Sequence, residues 1–117
     1  MGDLSGAEKQ FRAELATDPN YQMAIAEIGE VRYHQQQWAD AAAWLAKSKT
    51  MSPELLYMLC DAYFHLGKIA DADLNAEAAA AYGRKDPEFM RGLIRLLHGN
   101  QQDTLAEKLS AYIKPSS

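Results

Sequence analysis

Three histidines, His34, His65 and His98, recur at intervals of 31 and 33 residues, and two of them have a carboxylate four positions upstream, giving the pairs Glu30/His34 and Asp61/His65. On a helix, residues four apart share a face, and two such side chains have ligand-like spacing for a metal ion. Three readings are open: histidines near the carbonyl-rich end of a helix, where partial negative charge favours them; a pH-sensitive edge; or a metal site. Geometry works against the last. Neighbouring helices stand roughly 8–10 Å apart, so two pairs reach one ion at ~2.1 Å only with favourable rotamers, and three histidines in a column cannot all do so. No metal site is expected. Cys60 lies on an apolar stripe with Leu56, Leu59 and Tyr63, which suits a packed small hydrophobe better than a nucleophile. Ser5, Ser48 and Ser52 have no indicated base partner, and no Gly-rich phosphate loop, His-Glu-x-x-His or nucleophile elbow occurs. The expectation is no catalytic residue, no cofactor and no enzyme.

The elements that carry these residues are helices. The 117 residues include twenty alanines and thirteen leucines, against nine Val, Ile and Thr together, which disfavours a sheet-rich fold. Asp18-Pro19-Asn20, Ser52-Pro53 and Asp86-Pro87 are stops, because proline cannot continue a helix and biases its predecessor towards extended geometry. His34-Gln35-Gln36-Gln37, Leu66-Gly67-Lys68 and His98-Gly99-Asn100 suit tight helix–helix turns. Between the breaks lie seven helical segments, near 4–17, 21–35, 38–50, 54–66, 69–83, 87–98 and 101–113, each with an apolar stripe at helical spacing.

The net charge of −4 is uneven: residues 1–83 carry six Lys/Arg against twelve Asp/Glu, and residues 84–117 carry six against four. An acidic body without a basic cluster argues against nucleic acid as the main partner. No apolar run approaches the roughly 18 residues of a membrane span. One cysteine excludes an internal disulfide. Together with the lack of a leader-like start, it favours a cytoplasmic setting.

An internal repeat is the most informative feature. Ala7…Phe11, Ala41…Leu45, Ala72…Ala76 and Leu105…Leu109 align at offsets of 34, 31 and 33 residues. Upstream of the later three sits another helix, with Ile25…Ile28-Gly29, Leu56…Leu59-Cys60…Tyr63 and Phe89…Leu93…Leu96. This pattern resembles the tetratricopeptide repeat, a helix–turn–helix unit. The residues that carry the resemblance are Ile25, Ile28, Gly29, Trp38, Ala41, Leu45 and Pro53 in one unit. In the next they are Leu56, Leu59, Cys60, Tyr63, Gly67, Ile69, Ala72, Ala76 and Ala79. Departures exist: Arg32 stands where an aromatic is usual, Gln36 replaces the turn glycine, and Leu105 stands where alanine is usual. The resemblance implies an all-α, right-handed α-solenoid of antiparallel helix pairs over 1–117 as a single domain. Residues 4–17 would be a half repeat, and 21–50, 54–83 and 87–113 would be helix pairs. A chain that opens in mid-repeat is expected to be a piece of a longer protein.

The resemblance also implies a groove lined by the first helix of each unit. Its expected lining is Met23, Ala26, Glu30, Tyr33 and His34; then Glu54, Tyr57, Asp61, Phe64 and His65; then Met90, Ile94, Leu97 and His98. Tyr33, Tyr57 and Phe64 would anchor a bound segment of basic or apolar character, with Glu30, Glu54 and Asp61 selecting a segment that carries Lys or Arg. Some tetratricopeptide domains grip a terminal carboxylate with lysine, asparagine and arginine. The corresponding places here hold Ala26, Glu27, Glu30, Tyr57, Met58 and Asp61, a set that repels a carboxylate. The functional expectation is a protein–protein interaction module, a scaffold or adaptor that binds a peptide segment. The alternative is a self-assembling repeat domain that stacks through its terminal helices.

Overall fold

In the computed structural model, the described residues are 6, 9, 10, 12, 13, 22–48 and 52–113. They form six helices: α1 (Gln22–His34), α2 (Trp38–Lys47), α3 (Pro53–His65), α4 (Ile69–Gly83), α5 (Pro87–Gly99) and α6 (Asp103–Ser110). Of the segment expected at 4–17, residues 6, 9, 10, 12 and 13 are helical and the rest lies outside the described residues. The helices pair in chain order, α1 with α2, α3 with α4 and α5 with α6. The molecule is elongated, 51 × 27 × 26 Å.

One hydrogen-bonding device closes every pair. At the end of the first helix the backbone turns left-handed, at Gln36 (φ 60°), Gly67 (φ 75°) and Gln101 (φ 60°). The N–H of each of these residues donates three positions back, to Tyr33 O, Phe64 O and His98 O. The next N–H donates five positions back, from Gln37 to Arg32 O, Lys68 to Tyr63 O and Gln102 to Leu97 O, at 2.8–2.9 Å. This double bond satisfies carbonyls that the helix end leaves free. Only glycine enters the left-handed region without steric cost, so two of the three turns are strained. At the first turn the Arg32 guanidinium donates to the Gln37 side chain, so the residue that replaces the usual aromatic braces the turn.

The turns also fix the register of the last unit. Ala41, Ala72 and Ala106 each follow their turn residue by five positions, and all three are fully buried. Ala106, not Leu105, is therefore the equivalent alanine. The 33-residue offset to Leu105 falls one short of the 34 that separate the turns at Gly67 and Gln101, and Gly99 lies two residues before the second of these. The segment expected at 101–113 consequently shortens to Asp103–Ser110. That expected at 38–50 ends at Lys47, where Ser48 is extended.

The starts of α3 and α5 share one logic, whereas α2, α4 and α6 have no side-chain cap. The Ser52 hydroxyl accepts from Leu55 N ahead of Pro53. The Asp86 carboxylate accepts from Glu88 N and Phe89 N ahead of Pro87. Side-chain caps satisfy the free N–H groups of the first turn, and proline is tolerated there because it lacks one.

Small residues let the helices approach closely. A Cβ on Gly29 would lie 2.7 Å from Leu45 Cγ and 3.0 Å from Leu45 N, so α1 and α2 cross at glycine. Cys60, Ala72, Ala76 and Ala79 are fully buried between α3 and α4. Larger side chains from neighbouring helices, Leu56, Leu59, Met90, Leu93, Leu97 and Leu109, fill the same core. Small residues set the spacing, and large ones supply most of the buried area.

Candidate functional site

Four side chains from the first two described units form a ring. The Tyr33 hydroxyl at the end of α1 donates to Asp61 Oδ2 on α3 at 2.6 Å. Asp61 Oδ1 lies 3.3 Å from His65 Nε2, one turn further on. The His65 imidazole stacks flat on the Trp38 indole at the start of α2, with centroids 3.9 Å apart and planes 3° from parallel. Trp38 meets the Tyr33 ring edge-on at 5.6 Å, closing the ring. Burial raises the Tyr33 phenol, and its bond to the Asp61 carboxylate raises it further. Two contacts tie unit to unit, the charge-assisted Tyr33–Asp61 hydrogen bond and the Trp38–His65 stack, while the Tyr33–Trp38 contact lies within the first pair.

Next to it lies a pocket of about 300 Å³ on the side formed by α1, α3 and α5. Tyr33 contributes from α1. Glu54, Tyr57 and Met58 contribute from α3, and Glu88, Phe89 and Gly92 from α5. Tyr57 and Phe89 meet edge-on at 6.2 Å and bridge the two units. The Phe89 ring is held against Gly83, where a Cβ would meet it at 2.5 Å. Burial pushes the Tyr57 phenol up, Asp61 adds to this, and Arg95 partly offsets it.

The residues expected along the groove divide accordingly. Tyr33 and Tyr57 wall the pocket. Glu30 is half-buried on α1, and His34 is exposed with its ring edge-on to Tyr33 at 5.4 Å. Asp61 and His65 belong to the ring, and Asp61 is already engaged by Tyr33 and His65. The expectation of Phe64 as an exposed anchor is corrected: at 7 % exposure it is part of the hydrophobic core. Ala26, Met90 and Leu97 are corrected in the same way, being buried, with Met90 and Leu97 at 0 % exposure. Adjacent helices press on these positions, because the packing stripe of each first helix is wider than single-helix periodicity suggests.

Phe89, Glu88 and Gly92 were not singled out for the groove. The signal was present in the 34-residue spacing, which places Glu88 opposite Glu54 and Gly92 opposite Met58. Elsewhere, the Arg12 and Lys47 side chains lie over the Trp44 ring. Leu74 and Tyr82 are large apolar side chains on α4 that stay 66 % and 60 % exposed.

The three histidines do not converge. His65 is stacked on Trp38, His98 Nδ1 lies 2.6 Å from Asp103 Oδ1, and His34 contacts Tyr33. Among the described residues, no three His, Cys, Asp or Glu side chains are grouped to hold a metal ion. Cys60 is fully buried, and burial pushes its thiol up to about 12, with Asp61 and Asp73 adding to the effect.

The tetratricopeptide repeat family model matches residues 1–55, and the paired helices continue with the same turn and the same cap through Ser110. Residues 1–55 are thus similar to the tetratricopeptide repeat family, and the six paired helices are consistent with a tetratricopeptide repeat protein. No match was found among the curated proteins compared with it. Tetratricopeptide repeats are typically non-catalytic modules for protein–protein interaction. No helix among the described residues is long and apolar enough to cross a membrane.

Proposed function

We propose that this chain is a scaffold or adaptor that captures an extended or helical segment of a partner protein along the side formed by α1, α3 and α5. The observation that carries the reading is the pocket of about 300 Å³, to which three successive first helices all contribute. A segment laid across these helices meets Tyr33, Tyr57 and Phe89 in turn. Half-buried aromatic rings supply large contact area at low entropy cost and are frequent anchors of interfaces. Glu30 and His34 flank this line. Asp61 and His65 act indirectly, by fixing the Tyr33 ring. The free thiol of Cys60 suits a reducing compartment, and the cytoplasm is the setting we infer.

Selection of binders from a random peptide display library tests the reading. Peptides recovered on the wild-type chain are expected to bind Tyr57→Ala at least tenfold more weakly, the size of a hot-spot loss of about 1.4 kcal/mol or more. Circular dichroism checks that the variant remains helical. Equal affinity for a folded Tyr57→Ala chain would contradict the assignment.

A further inference from the structure

Gly92 sits in the interior of α5, where glycine is the poorest residue short of proline. No neighbour demands it: a Cβ built there meets nothing within 4 Å. The space it leaves is part of the pocket. One turn before Gly92 stands Glu88, and one turn before Met58 stands Glu54, so α3 and α5 each bring a carboxylate to the same pocket. Among the described residues neither carboxylate is engaged in an ion pair. Side-chain capping of the two helices is supplied by Ser52 and Asp86 instead. The remaining wall is mostly apolar, from the rings of Tyr33, Tyr57 and Phe89 and the Met58 side chain.

We infer that this pocket receives the side chain of an arginine from the partner segment, its stem on Tyr57 and Phe89 and its guanidinium between Glu54 and Glu88. The inference rests on the groove reading above and adds the identity of the residue that enters it. A long apolar stem with a charged head matches a pocket that is mostly apolar and carboxylate-rimmed. A planar guanidinium stacks on aromatic rings and bonds carboxylates with two parallel N–H groups, which a point-like ammonium does not. Arg95, whose charge is felt at Tyr57, is not among the residues that line the pocket.

The test is a nuclear magnetic resonance titration of the 117-residue chain with Nα-acetyl-arginine methylamide, its neutral citrulline analogue and its norleucine analogue. The arginine compound is expected to shift the Tyr57, Met58, Phe89 and Gly92 amides saturably. The citrulline and norleucine compounds should bind at least tenfold more weakly. Gly92→Leu should abolish the shifts by filling the pocket. Should Gly92→Leu fail to fold, Glu54→Gln with Glu88→Gln provides the second route, and is expected to remove the preference for arginine over citrulline. Equal response to arginine and norleucine would overturn the arginine assignment and leave the groove standing. No response at the pocket to any of the three compounds would overturn the inference. If display-selected peptides also fail to distinguish Tyr57→Ala, the groove reading falls with it.

Discussion

Tyr33, Asp61, His65 and Trp38 hold two repeat units together through polar and aromatic contacts rather than aliphatic packing alone. Removing the Tyr33 hydroxyl leaves a largely buried carboxylate short of one donor. Tyr33→Phe should therefore cost about 1–2 kcal/mol in urea denaturation, the usual penalty for an unsatisfied buried acceptor. A loss below 0.3 kcal/mol, on the order of experimental error, would show that the bond contributes nothing net. Alkali should act through buried acids. Cys60 ordinarily ionises near 9.0 but is held up to about 12 in the fold, and Tyr33 is likewise raised above 10.0. The unfolded chain then releases protons that the folded chain retains, so stability is full below pH 9 and falls as pH rises from there towards 12. Melting temperatures measured from pH 8 to 11 should decline, and Cys60→Ala should flatten the first part of that decline. Glu30 and His34 lie on α1, within the segment expected to be helical, but the ring was not legible. Periodicity along one helix does not say which partner a side chain meets on the next.

At the scale of the element, the turns and caps explain where the sequence is readable. Ser52-Pro53 and Asp86-Pro87 mark helix starts without ambiguity, because their chemistry is local. The turn ends were harder. Gln36 and Gln101 adopt left-handed backbone that favours glycine, so the strongest sequence cue pointed to Gly99, two residues early. This strain gives a prediction. Gln36→Gly and Gln101→Gly should each raise stability by about 0.5–1 kcal/mol, the left-handed penalty relieved less the entropy glycine loses on folding. Thermal denaturation of the two variants measures it, and destabilisation by either would contradict the strained-turn reading. Asp86→Ala should move the other way, by about 1 kcal/mol, through loss of the cap that holds the first turn of α5.

For the whole molecule, repetition does two things. It stacks pairs of helices so that each buries its stripe against the next, and it brings equivalent positions of successive first helices to one side. Leu93 is fully buried in α5 within the core shared with α3 and α4. Leu93→Ala should cost about 2–5 kcal/mol, and a two-state urea transition that shifts as a whole would show that the units fold together. The fold class was legible because a stripe, a turn and a small-residue crossing each recur about every 31–34 residues. The pocket was less so: Tyr57 lines it, but Phe64 is core and Phe89 is wall. The two are aromatic residues at different depths on their helices, a difference fixed by the neighbouring unit. Two sides now compete as docking surfaces, the pocket of α1, α3 and α5, and the exposed Leu74 and Tyr82 of α4. The most direct measurement is an amide chemical-shift map of the chain with a display-selected peptide at saturation. The account predicts that the largest shifts fall on Tyr33, Tyr57, Met58, Phe89 and Gly92. Shifts centred instead on Leu74, Tyr82 and their α4 neighbours, with the pocket silent, would contradict it.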